Sequence, residues 1–341
     1  MYRDLKYLIA LSLPAFTYFS FVNTGLLSFS VVIYAFLFLP LIETILPQSQ
    51  QNLDKEVVDN QKSKFIFDVL LYLNVPIIYG FILLFFYQMR TSMPDTITII
   101  GWVSSLGLLL GSVGINVAHE LGHKLEWYKK VMAKALLLPC FYMHFYIEHN
   151  QGHHKNVATD LDPASAKKGE NLYFFWMRSL VGSYLSAWRI EIRNCKRKDV
   201  STFGLNNELV VFTLVQFAFL ITLVLIVGLY MTLLFLVSSL FAVLLLETIN
   251  YIEHYGLRRE KLPNGRYERV RPCHSWNSNH ELGRIVLYEL TRHSDHHYQA
   301  QKKYQLLDHH DEAKQLPFGY PASMVLSLFP PLWYKLMNSR L

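Results

Sequence analysis

The sequence predicts an all-α, polytopic membrane protein, and three observations predict it. Of the 341 residues, 52% are hydrophobic and only 17% charged, against about 25% charged in a typical soluble domain. The apolar residues gather in six stretches, about 5–22, 26–46, 66–87, 97–117, 209–227 and 229–247. Each approaches the roughly 20 residues a helix needs to cross about 30 Å of hydrocarbon. The basic residues are segregated between the connections of these stretches. Such a composition excludes a disordered chain, because ample apolar surface is available for burial. It also excludes a disulfide scaffold: Cys140, Cys195 and Cys273 are odd in number, far apart and form no CxxC pair.

The first stretch contains Pro14, which a membrane helix tolerates when its neighbours satisfy the freed backbone group. It runs almost directly into the second without a small-residue cleavage site, so it does not read as a signal peptide. From Leu209 to Leu246 the chain has 38 residues and no charge. That is too long for one crossing, and Gly228 is the expected turn of a tight helical hairpin. Six crossings put the 1–2, 3–4 and 5–6 connections on one side, where the single basic residue is Arg90. The other 31 of the 32 Lys and Arg lie in or near the termini, the 47–65 loop, the 118–208 segment and the 248–341 tail. An excess of Lys and Arg marks the cytoplasmic side. The net charge of +6 follows from this segregation, and no nucleic-acid partner is expected. Residues 171–190, aromatic but interrupted by Arg178 and Arg189, predict a helix lying at the membrane interface. The 191–199 run reads as a solvated face. The whole chain, 1–341, reads as one membrane-embedded domain with extramembrane segments 118–208 and 248–341.

Those two segments carry four histidine clusters. They are His119-Glu-Leu-Gly-His123, Glu148-His149-Asn-Gln-Gly-His153-His154, Asn250-Tyr-Ile-Glu253-His254, and Arg292-His293-Ser-Asp295-His296-His297. Together they hold nine of the 14 His. His119 and His123 are four apart and share a helix face, as do His149 and His153; His293 lies three and four residues before His296 and His297. All nine fall on the predicted cytoplasmic side, so they can converge without crossing the bilayer. Packed protonated imidazoles would repel, and buried neutral ones would need many partners. A metal supplies the positive centre and uses the lone pairs. Nine nitrogens exceed the three or four ligands of one zinc site, which predicts two metals with four or five imidazoles each. Imidazole suits Zn, Cu, Fe and Ni alike, so ligand type does not choose among them.

His119-Glu120-Leu-Gly-His123 also matches H-E-x-x-H, the zinc-protease helix in which the Glu activates water. That reading leaves seven clustered His without work. A metal-binding transporter or sensor would favour ionisable groups near mid-span. Glu43 and Glu247 sit near span ends, and Asp68 near a span start.

Together HELGHK (119–124), EHNQGHH (148–154), NYIEHYGL (250–257) and LTRHSDHH (290–297) resemble the integral-membrane alkane hydroxylases (alkane 1-monooxygenases). More distantly they resemble xylene hydroxylases and membrane fatty-acid desaturases. HSWNSNH (274–280) and LPFGYPASM…PPLW (316–333) add to the likeness. It covers about 90–341, while the first three spans match only in number and placement. NYIEHYGL is the most specific signature, separating such hydroxylases from desaturases.

The resemblance implies a six-helix fold in the bacterial inner membrane, capped by a cytoplasmic di-iron site. The iron ligands it implies are His119, His123, His149, His153, His154, His254, His293, His296 and His297. The implied activity inserts one atom of O2 into an unactivated C–H bond, turning n-alkanes into 1-alkanols. Electrons would come from rubredoxin, reduced by a NAD(P)H-dependent rubredoxin reductase. Three Cys cannot supply the four thiolates of a rubredoxin site and the chain has no G-x-G-x-x-G motif, so the electrons must arrive from a separate protein. Thr291, Tyr298 and Gly283-Arg284 depart from the commonest family pattern. They leave the substrate open, and a related hydroxylase or desaturase of acyl or alkyl-aromatic substrates is the alternative.

Glu120, Glu148, Glu253 and Asp295 adjoin these His and are expected to accept the outer N–H of ligand imidazoles. His144, His274, His280, His309 and His310 are weaker candidates. His274 and His280 could support the site, and His309-His310 is expected to be exposed. Lys302 and Lys303 are candidates for a basic docking face towards an acidic electron donor, or for a solvated or headgroup-facing role.

Overall fold

The computed structural model describes residues 2–341, with side chains described from residue 4 onward. It is mostly helical. The chain opens with α1, residues 2–21, built from an α-turn, a 3-10 stretch Lys6–Leu11 and an α-helix Ser12–Phe21. Pro14 lacks the N–H that would bond the carbonyl of Ala10, and the 3-10 stretch lies just ahead of it. Among the described residues, five helices are long and apolar enough to cross a membrane: α2 (Gly25–Ile45), α4 (Ile66–Thr91), α5 (Thr96–Gly122), α9 (Glu208–Val227) and α10 (Leu229–His254). A short α3 (Lys55–Lys62) precedes α4. Five of the six predicted stretches thus form such helices, and α1 is not among them. Gly228 turns α9 into α10 with φ 84°, a region that costs a glycine little.

Two of the helices that outrun their apolar stretches carry cluster histidines. α5 continues to Gly122 and α10 to His254. At about 1.5 Å per residue, their 27 and 26 residues are longer than the roughly 30 Å of a bilayer core, and their last turns carry His119 and His254.

α5 and α10 pack closely because both present small residues four apart. Gly107 and Gly111 meet the Ser238 and Ala242 backbone, the small-xxx-small arrangement that lets membrane helices approach. Ser238 Oγ also donates to the Val103 carbonyl at 3.0 Å. A Cβ at Gly107 would lie 2.7 Å from the Ser238 carbonyl oxygen. Gly107→Val is therefore expected to destabilise the protein by about 1–3 kcal/mol, as overpacking does. The check is a lower melting temperature in detergent.

The extramembrane segments form a second layer. α6 (Trp127–Leu137) and α7 (residues 144–156) follow α5. α8 (Leu172–Arg197) starts at Asn171, whose side chain accepts from the Phe174 N–H. It exposes Tyr173, Phe174, Met177, Val181, Tyr184 and Leu185 and buries Phe175 and Ala187, as an interfacial helix would. The tail adds α11 (Glu281–Val286), α12 (His293–Tyr298), α13 (Tyr320–Ser327) and α14 (Pro330–Met337). A two-residue parallel pair, β1 (Trp276–Asn277) with β2 (Lys314–Gln315), ties this tail together. One apolar core lies among the long helices. A smaller one, around Tyr251, Tyr255, Trp276 and Trp333, fastens the end of α10 to the tail.

Candidate metal centre

All nine predicted imidazoles converge. His119, His123, His149, His154 and His296 form one group, and His153, His254, His293 and His297 a second; within each group the donor atoms lie within 4.8 Å of one another. The split into five and four does not follow simple helix spacing. His149 and His153, four apart, go to different groups. The reason is a π-turn over His149–His153, whose hydrogen bonds span five residues. It brings His149 and His154 to the same side, with Nε2 atoms 3.0 Å apart, and frees His153 for the other group. In α12, His293 and His297 share a face, with Nε2 atoms 2.8 Å apart. His296, about 100° round the helix from His297, turns to the first group, its Nε2 3.2 Å from that of His154.

These distances bear on what the groups can hold. The Nε2 atoms of His123 and His149 are 3.1 Å apart, and those of His254 and His293 3.2 Å. A metal–imidazole bond of about 2.1 Å with ligands at right angles puts adjacent nitrogens about 3.0 Å apart. The Nε2 atoms of His119 and His153, one in each group, are buried with no hydrogen-bond partner. Burial, reinforced by the neighbouring imidazoles, pushes His123, His149, His154, His293, His296 and His297 well below the ordinary histidine range. They are neutral at pH 7 and present lone pairs. The donor set fits two metal ions.

The two groups touch: the rings of His154 and His297 have centroids 4.4 Å apart. His123 and His154 are half-buried, and the other seven are buried.

The carboxylates depart from expectation. Asp162, which sequence reasoning missed, is the group that holds an outer imidazole nitrogen. Its Oδ2 accepts from His153 Nδ1 at 2.9 Å and from Ser165 Oγ at 2.5 Å, and its Oδ1 accepts from the Ala164 N–H at 3.1 Å. Burial acts to lower the His153 pKa, but the Asp162 carboxylate raises it above the ordinary value. The reciprocal attraction holds Asp162 low despite its burial. The available signal was an Asx-type turn eight residues after a ligand, in a loop otherwise without function.

Of the four carboxylates expected in this role, Glu253 alone meets a cluster imidazole. Its Oε2 lies 3.1 Å from His293 Nε2, the inward nitrogen rather than the outer one, and its Oε1 accepts from Tyr320 OH at 2.7 Å. Glu120 instead pairs with Lys124 at 2.7 Å and accepts from the Tyr304 N–H. Asp295 staples the tail: it pairs with Lys302 at 2.7 Å and His310 at 2.8 Å, and accepts from the Asp308 N–H. Glu148 is buried with Oε1 unpartnered; burial, then the nearby Asp162 charge, holds its carboxyl above the usual range. The physical reason is helix geometry. A residue beside a ligand points about 100° away from it and finds partners of its own.

The weaker candidates also resolve. His309 is buried and His310 half-buried, against the expected exposure, because Asn52 binds the His309 backbone and Asp295 takes His310. His280 meets Ser278 Oγ at 2.9 Å, and His274 accepts from the Arg271 N–H at 3.0 Å. Both order the tail loop. His144 is buried between the rings of Tyr142 and Tyr184. Lys302 pairs with Asp295 and Asp308, and Lys303 with Asp68. Both side chains are half-buried and tied to carboxylates of the protein itself.

An apolar cavity runs among the long helices to this centre. Its walls include Leu13, Phe36, Leu39, Leu245, Leu246 and Met324, and its end is formed by His119, His149, His293 and Glu253. π-turns at Tyr34–Phe38 and Leu110–Ile115 place Ala35, Phe36, Gly111 and Ser112 on its wall. All three π-turns of the described residues thus serve the cavity or the centre, as such turns often do at functional sites.

The fold and the centre define a helical membrane protein whose histidines are arranged to hold metal at the end of an apolar cavity. Residues 97–325 match the fatty acid desaturase family, a span that contains all nine imidazoles. Alkane 1-monooxygenase 1 of Alcanivorax borkumensis is 39% identical over 88% of this chain and 74% of its own length. Alkane 1-monooxygenase 1 of Pseudomonas aeruginosa is 38% identical over 98% of this chain and 88% of its own. The hydroxylase component of a xylene/toluene monooxygenase from Pseudomonas putida is 29% identical over 84% and 76%. The chain belongs to the alkane 1-monooxygenase family of enzymes.

Proposed function

We propose that this enzyme hydroxylates the terminal carbon of medium- and long-chain n-alkanes, using O2 and two irons held by the nine histidines. The observation that carries this reading is the junction of an apolar cavity with both imidazole groups. Bound there, the iron pair would activate O2, one atom entering the substrate and the other leaving as water. Electrons would come from rubredoxin and its reductase. α1 would add a sixth crossing, with the histidine cap on the cytoplasmic face of the bacterial inner membrane.

The chain's own residues do the rest. An alkane offers no polar handle, so its binding rests on burial, about 0.8 kcal/mol per CH₂. Leu39, Leu245, Leu246 and Met324 line the cavity with the surface this needs. A chain lying along it presents one end to His119, His149 and His293. Terminal selectivity is then positional, although terminal C–H bonds are intrinsically the stronger. The same walls exclude water from the reacting end.

The test is reconstitution with rubredoxin, its reductase, NADH and ¹⁸O₂, fed a mixed panel of n-alkanes, alkenes, alkyl-aromatics and fatty acids. The expected result is a 1-alkanol carrying one ¹⁸O, with about two irons per chain. Desaturated acids or benzylic alcohols as the main products, or alkanols without label, would overturn it.

A further inference from the structure

Most basic residues near the centre are neutralised. Lys124 pairs with Glu120, Lys129 with Asp68 and Glu126, Lys134 with Glu208, and Arg178 with Glu170. One patch differs. A groove between the π-turn and the end of α8 is lined by Gln151, Lys155, Arg193, Asn194, Lys196 and Arg197, and no carboxylate lines it. All four cations are exposed. Among the described residues their side chains find only neutral partners: Arg193 donates to the Arg189 carbonyl and Arg197 to Asn194 Oδ1. Asn194 in turn donates to Gln151 at 3.1 Å, fixing α8 against the turn.

We propose that this groove is the docking surface for an acidic, one-electron iron–sulfur carrier protein; the identity of the carrier rests on the proposed function. Three observations favour it. The sequence holds no G-x-G-x-x-G motif and only three Cys, too few for a four-thiolate iron–sulfur site, so an external carrier would deliver electrons across a surface. Gln151 and Lys155 bracket His153 and His154 in the chain, and His154 is one of the two half-buried imidazoles. Its ring touches His297 of the other group, so an electron arriving at that edge is in contact with both. Four like charges without counterions also draw an acidic partner from a distance and orient it.

An anionic lipid headgroup is the competing occupant. The exposed apolar residues of α8 stop at Leu185, while the cations of the groove begin at Arg193. At about 1.5 Å per residue, Arg193 stands some 12 Å along α8 from Leu185, and the groove is lined mainly by polar side chains.

The experiment measures binding of fluorescently labelled acidic rubredoxin to the full-length enzyme in uncharged detergent, by anisotropy across a salt series. Lys155→Glu/Arg193→Glu is expected to raise Kd at least tenfold and flatten its salt dependence. The control Lys261→Glu/Arg266→Glu changes the net charge equally on an exposed loop and is expected to shift Kd far less. In turnover, KM for rubredoxin should rise with Kd while kcat and iron content hold. No binding by the wild type, an unchanged Kd in the groove variant, or an equal shift in the control would overturn the proposal. So would a groove variant that loses only co-purified phosphatidylglycerol by native mass spectrometry, which would make the groove a headgroup site. Binding is read without alkane, so these outcomes stand apart from whether alkanols form.

Discussion

Replacing His254 by Ala is expected to cut alkanol formation by more than the 10–100-fold that loss of an outer partner of a metal ligand typically costs, and to lower the metal content from about two ions per chain to about one. His254 is fully buried, and its Nε2 faces that of His293 at 3.2 Å. Removing it leaves the smaller group with three nitrogens, while the five of the larger group are untouched. Loss should therefore be selective. Metal analysis of the purified protein, beside its melting temperature, separates this from misfolding. Near-normal turnover and two retained ions would show that His254 is not a ligand. His254→Gln, which keeps a polar side chain of similar reach, should lose metal in the same way without emptying the site.

Asp162→Asn is expected to cost about 10–100-fold in metal affinity or activity, again at the smaller group. The carboxylate fixes the His153 ring through Nδ1 and leaves Nε2 pointing inward without a protein partner. It also raises the basicity of that nitrogen by sharing the outer proton. The neutral amide keeps the shape but loses the charge. The check is the rate at which a chelator strips the first ion per chain, which should rise in the variant. Asp295→Asn is the comparison. Asp295 adjoins His296 in sequence but is bound by Lys302 and His310, so its loss should loosen the tail and leave ion release nearly unchanged. Equal release from the two variants would contradict the assignment.

Much of the site was legible before the structure. All nine imidazoles were singled out from cluster spacing, and a division into groups of four and five follows from counting nitrogens. The partition itself was not legible. Spacing alone pairs His149 with His153, whereas the π-turn pairs His149 with His154. The carboxylates failed for a related reason. Adjacency to a ligand in sequence suggested Glu120, Glu148 and Asp295, but neighbours on a helix diverge. Asp162 reached His153 because a turn folded the chain back. Lys302 and Lys303 looked free in the sequence because only the folded tail aims Lys302 at nearby Asp295 and Asp308, and Lys303 at Asp68, 235 positions away.

What the sequence determined by itself is what depends on composition and short periodicity. Apolar runs long enough for a bilayer, the hairpin at Gly228 and the residue types of the centre are of this kind, because hydrophobic transfer and ligand chemistry act residue by residue. Only the tertiary structure decided which imidazole joins which group, which carboxylate holds an outer nitrogen, which cations stay unpaired and where the cavity ends. Those outcomes depend on directions of side chains, and directions are set by π-turns and by helices meeting across long stretches of chain.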